Sequence, residues 1–150
     1  MKKKILIITT TLLILAGGFS SCKDKNELVE IPFTEYSLIG TQCQWTNLDY
    51  NGKVIIINSS AELEKYIDCV EGIYPEIDFS KWTLLLAHGM ENHLVYPKYK
   101  SLQQHSTQSY VMKVNLEPAF ATVITYWQVP IIVNKIADDV VIELIVTKNP

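Results

Sequence analysis

KVIIINSSAELEKYIDCVEG, residues 53–72, changes its apolar spacing halfway along. Its first part is a short apolar run with the look of a strand. From Ser59 the pattern is helical: Glu62 stands three residues after Ser59, the form of a capping box. Leu63, Tyr66, Ile67 and Val70 then recur at i, i+3, i+4 and i+7, and Gly72 ends the pattern. The reading is strand, then one helix of about three turns.

Working outward, Asn51-Gly52 joins CQWTNLDY to the KVIIIN run, and this dipeptide favours the two positive φ angles of a type I′ hairpin turn. A strand pair is expected there. YPEIDFS reads as turn and loop, and KWTLLLAHG as a strand apolar enough to be buried on both faces, closing at Gly89. HLVYPKYKSLQQHS and QSYVMKVNL flank a polar link at residues 106–108. Tyr110, Met112, Val114 and Leu116 alternate with Val111, Lys113 and Asn115, which predicts a hairpin with one wet face. FATVITYWQVPIIVNKI and VVIELIVTK, joined through Asp138-Asp139, predict a closing hairpin whose first arm breaks or bends at Pro130. Trp45, Trp82 and Trp127 are assigned to the core. About seven strands and one helix make an α+β domain dominated by antiparallel sheet, a half-open barrel or coiled sheet with the helix packed on it.

Residues 1–21 carry a different pattern. Lys2, Lys3 and Lys4 precede 15 apolar or neutral residues (5–19), the build of a secretory signal and shorter than the roughly 20 residues a spanning helix needs. Phe19-Ser20-Ser21-Cys22 resembles a bacterial lipobox, with Phe19 where leucine is usual. The resemblance implies that Cys22 receives diacylglyceryl and acyl (palmitate) groups and becomes the mature N-terminus. Several acyl chains make a durable anchor where one chain binds only marginally. Residues 22–32 are too polar to fold and read as a tether, and residues 33–150 as one globular domain. Lys23-Asp24 after the cysteine resembles the export signal of surface lipoproteins of the Bacteroidetes, interrupted here by Lys25. The expected location is a lipid-anchored position at the outer membrane, facing the periplasm or the cell surface. The chain as a whole resembles the small lipoproteins of that group.

VIIINSSAELEKYIDCV followed by PEIDFSKWTLLLAHG resembles the small C-terminal domain of PrcB-type protease-complex subunits: strand, helix, an IDFS turn, then a buried strand closing on glycine. The likeness covers the first half of the folded region, and GMENHLVY stands where that family has a Gly-Gly-Tyr turn.

Composition removes several functions. All 13 basic residues are lysine; loss of three with the leader leaves 10 against 16 acids, a net charge of −6 over 129 residues. An acidic chain without arginine has little with which to neutralise phosphates or read guanine, so nucleic acid is not expected as a partner. The glycines show no phosphate-cradling spacing, so neither is a nucleotide. With Cys22 acylated, Cys43 and Cys69 remain, either bridged or as two buried thiols.

His88, Glu91 and His93 in HGMENH are zinc-type ligands in a spacing that matches no metalloprotease signature. They are the candidate metal set. Tyr96, Tyr99 and Tyr110, interleaved with Lys98 and Lys100, are the candidate aromatic binding face. Serine, histidine and acid occur without a nucleophile elbow, and no catalytic residue is assigned. The expectation is a non-enzymatic binding or assembly module for an envelope protein or glycan, with no cofactor beyond the acyl groups on Cys22. The alternative is a metal-dependent hydrolase at His88, Glu91 and His93.

Overall fold

The computed structural model describes residues 28–148; the leader, Cys22 and most of the tether lie outside them. The order is β1 (Val29–Glu30), β2 (Thr34–Glu35), β3 (Cys43–Trp45), β4 (Lys53–Ile57), α1 (Ser60–Leu63), β5 (Ile67–Cys69), β6 (Trp82–Glu91), β7 (Val95–Ser106), β8 (Ser109–Pro118), β9 (Thr125–Asn134) and β10 (Val141–Lys148). Two four-stranded sheets, β1-β7-β8-β10 and β2-β9-β6-β4, pack face to face, and β3-β5 form a small ribbon. The described residues form an α+β, mostly antiparallel fold with one short helix, and its sheets are not closed into a barrel. Among the described residues no helix is long and apolar enough to cross a membrane.

Period-two alternation explains the layers. Leu85, Ala87, Val129 and Ile131 face Leu102, Met112, Val114 and Leu116 of the other sheet in the main core. Leu84 and Leu86, on the opposite face of β6, pack with Ile57, Leu63 and Ile67 beneath Tyr36, Leu38 and Trp45. β6 is therefore buried on both faces, which is why TLLLAH lacks polar alternation. The β7–β8 hairpin turns at residues 107–108 with Tyr110, Met112, Val114 and Leu116 inward. Val29 and Glu30, which composition puts in the tether, instead pair with Gln104 and Gln103 of β7.

Five expectations change. The helix has one turn: Ser59 caps it, accepting from Glu62 N, while the Glu62 carboxylate takes the amide of Asn58. The next residues pair with β3, Cys43 opposite Cys69 and Trp45 opposite Ile67. A three-turn helix is marginal by itself, so tertiary pairing and the bridge override its periodicity. Val70, placed on the helical stripe, is 87% exposed.

Asn51-Gly52 makes no hairpin, since β4 pairs with β6 and β3 with β5. Only Gly52 of the two has positive φ, whereas Asn47 and Tyr50 are left-handed, and type I′ needs both central residues there. The last two long strands do not pair either: β9 lies between β2 and β6, while β10 runs parallel to β8 in the other sheet.

Pro130 neither breaks nor bends β9, whose pairing with β6 runs from Thr125 to Asn134. Its carbonyl accepts from Tyr36 N, so by antiparallel alternation the missing N–H lies on the β2 side and costs β6 nothing. Trp127 is core and Trp45 half-buried, but Trp82 stands 40% exposed at the start of β6.

Candidate functional site

Two seams join the sheets: β10 approaches β4 on one side and β7 approaches β9 on the other. Along the second seam residues 29–36 cross from the β7 edge to the β9 edge, pairing for two residues with each. Ile31 N donates to Leu102 O at 2.8 Å and Tyr36 N to Pro130 O at 3.1 Å. Beyond these bonds the chain leaves the seam, and a groove of about 670 Å³ opens between the two edges, lined by Pro97 and Lys100 of β7 and residues 128–130 of β9. Its volume falls in the range of ligand sites.

The outer wall is built by residues 36–45. Thr41 N and Oγ1 both donate to Leu38 O, at 3.0 and 2.7 Å. With Gly40 at φ +85° the turn is type II, which lifts Ile39 into solvent at 95% exposure. The Cys43–Cys69 disulfide ties this wall to β5. Val70 N donates to Gln42 O, and the Ile73 carbonyl lies 3.6 Å from Cys43 Sγ, placing two further exposed residues, Val70 and Ile73 (81%), beside the ribbon. Ile39 on the wall and Val70 and Ile73 beside the disulfide are thus nearly bare branched side chains, and exposed apolar surface of this kind is what a docking partner can cover.

The groove holds one ion pair, Lys100 Nζ to Glu35 Oε1 at 2.7 Å, with the lysine mostly covered and the carboxylate open. Tyr36 packs 6.0 Å from Trp45 and donates its hydroxyl proton to Pro75 O at 2.9 Å. Burial, with Tyr74 nearby, pushes the Tyr36 phenol up to about 12, so it stays neutral and a donor. The wall thus offers aromatic and aliphatic surface, backbone edge and a single charge pair.

A second cluster lies next to the groove. His88 is fully buried, and among the described residues neither of its ring nitrogens has a hydrogen-bond partner. Its Nε2 lies 3.6 Å from Asp49 Oδ1, and the Tyr50 ring meets it edge-on at 5.8 Å. Tyr50, in a left-handed conformation, packs its ring at a tilt against Tyr126 at 4.6 Å and accepts a bond from Gln128 Nε2 at 3.1 Å. Burial lowers the His88 pKa, against a weaker upward pull from Asp49. The Asp49 carboxyl is lowered chiefly by its bond from Lys53.

The sequence-derived candidates are dispersed. His88 and Glu91 are three apart on β6, so alternation sends them to opposite faces; Glu91 binds Lys148 at 2.6 Å and His93 lies in the loop beyond. Among the described residues no group of three His, Cys, Asp or Glu side chains is placed to hold a metal ion. Tyr96 and Tyr99 are exposed, Tyr99 in an open hollow with Lys113 and Asn115, but Tyr110 points into the core and accepts from Gln104 Nε2 at 3.1 Å. Cys22 lies outside the described residues. Sequence reasoning missed Ile39, Trp45 and Lys100 as neighbours; the signal for Ile39 was the Leu-Ile-Gly-Thr turn.

Comparison with family models, with curated proteins and with solved structures gives no significant match to this chain.

Proposed function

We propose that this chain is a lipid-anchored protein of the bacterial cell envelope, held at the outer membrane through Cys22, that binds an envelope protein or glycan in the seam groove without covalent chemistry. One observation carries the binding half: the sheets leave an open groove beside a disulfide-pinned wall that presents Ile39 to solvent, and Val70 and Ile73, next to that disulfide, are exposed as well. The exposed apolar area is the feature expected of a docking surface, and the bridge limits the entropy lost when a partner orders it. Support for the anchor half is the lysine-apolar-cysteine pattern of residues 2–22.

Growth with an alkynyl palmitate, with a photo-crosslinking phenylalanine analogue at position 39, tests both halves together. The reading predicts a labelled chain in the membrane fraction that yields a discrete adduct on irradiation. In Cys22→Ser both label and adduct are lost, and in Lys100→Glu, which reverses a charge inside the groove, the label stays while the adduct falls. An unlabelled wild-type chain would sink the anchor, and an undiminished adduct in Lys100→Glu would sink the groove.

A further inference from the structure

β2 lies against β9 with Thr34 opposite Ile132 and Glu35 opposite Ile131. Continued, this register sets Tyr36 opposite Pro130 and Leu38 opposite Gln128. The first is half made: Tyr36 N reaches Pro130 O, but proline has no N–H to return. The second is not made, because the chain turns away through residues 38–41. Backbone groups alternate sides along an antiparallel strand, so those of Gln128 and Tyr126 face the same way as Pro130 O. No described strand pairs with β9 on that side from residue 125 to 130. Gln128 lines the seam groove, and Tyr126 continues the same edge beyond it.

A free strand edge is a row of donors and acceptors complementary to one kind of object, another extended chain. On the other side of the groove the β7 edge is equally uncovered below Leu102, since β1 pairs only with Gln103 and Gln104. From these observations we infer that the groove takes an extended segment of a partner protein, which adds to β9 antiparallel, on the line that β2 begins. This rests on the groove-binding reading above and names the partner's form. Main-chain bonds to Gln128 and Tyr126 fix the register of the segment. Its alternate side chains meet Trp45 and Leu38 on one side and the Lys100–Glu35 pair on the other. A residue with a small or flat side chain passes Pro130, where the ladder has one bond instead of two.

The probe is a random dodecapeptide phage library panned on the full chain, expressed with its N-terminal segment and purified in detergent. An enriched peptide is then resynthesised with single N-methyl groups at successive amides, which leaves the protein untouched. Strand addition predicts a period of two: methylation at every second amide weakens binding about tenfold or more, while the amides between tolerate it. Gln128→Pro, which deletes the edge N–H, abolishes binding, whereas Gln128→Ala, which deletes only the side chain, keeps it. No enriched peptide, or methylation effects without that alternation, would overturn the inference. A glycan-array ligand displaced by Ile39→Asp would overturn it too while leaving the groove-binding reading intact, whereas loss of the position-39 adduct in cells would sink that reading.

Discussion

Removing the disulfide should weaken the whole molecule and loosen the groove wall first. Cys43 and Cys69 are 26 residues apart in sequence, and the chain-entropy relation for a loop of that length gives about 3.5 kcal/mol. The native ribbon they join has three residue pairs, too few for a free two-stranded unit to hold. Opening it uncovers the outer face of β6, where Leu84 and Leu86 pack with Ile67 and Leu63. Cys43→Ala/Cys69→Ala therefore removes a constraint on the unfolded chain and frays the native one. Equilibrium urea unfolding of the double variant against the oxidised parent, with the parent under reductant as a third curve, measures the difference. The reasoning predicts a loss of about 3 to 4 kcal/mol in both the variant and the reduced parent. A loss under about 1 kcal/mol in both would refute it, because the bridge would then constrain neither state.

Three further outcomes follow from single sites. His88 is lowered in the folded state, so as pH falls below about 6.5 the unfolded chain takes up its proton first and stability drops, by at most about 1.4 kcal/mol per pH unit, until the folded-state pKa is passed; urea midpoints from pH 8 to 5 should show this slope, and His88→Gln should remove it. Gly89→Ala puts a methyl 2.5 Å from Trp127 Cζ2 in the packed interior between the sheets, and should cost roughly 1 to 3 kcal/mol with a shifted tryptophan emission. Asn58 joins β4 to the start of β6 and to the 135–140 connection, accepting from the buried Thr83 hydroxyl and donating to Ile136 O and Asp138; Asn58→Ala should cost roughly 1 to 3 kcal/mol for each buried group left unpaired, read by thermal melting, and a neutral result would remove this network from the account.

What the sequence disclosed depended on how local the cause was. The β7–β8 hairpin is legible because its alternation and its polar link lie within one contiguous stretch, and β6 because burial on both faces erases polar alternation in the strand itself. The helix failed after Leu63, where a three-turn pattern gave way to pairing with β3 and to a covalent bond between Cys69 and Cys43, 26 residues upstream. The expected hairpins at Asn51-Gly52 and across Asp138-Asp139 failed for a related reason. Partner choice was set by the apolar strength of β6 and β8, which drew in β4 and β10 from a distance. The groove was not legible at all, since it is made from pieces at residues 35–45, 97–100 and 128–130 that no spacing connects. HGMENH looked like a ligand set only until strand alternation parted His88 from Glu91.

The most direct test of the open edge on which the groove reading rests is residue-resolved amide hydrogen exchange along β9. Trp127 and Val129, whose amides face Gly89 and Ala87 of β6, should be protected to a large fraction of the global unfolding free energy. Gln128, facing the groove, and Tyr126 on the same open edge should exchange orders of magnitude faster. Equal protection of all four amides would mean that the edge is already filled, and would contradict the account.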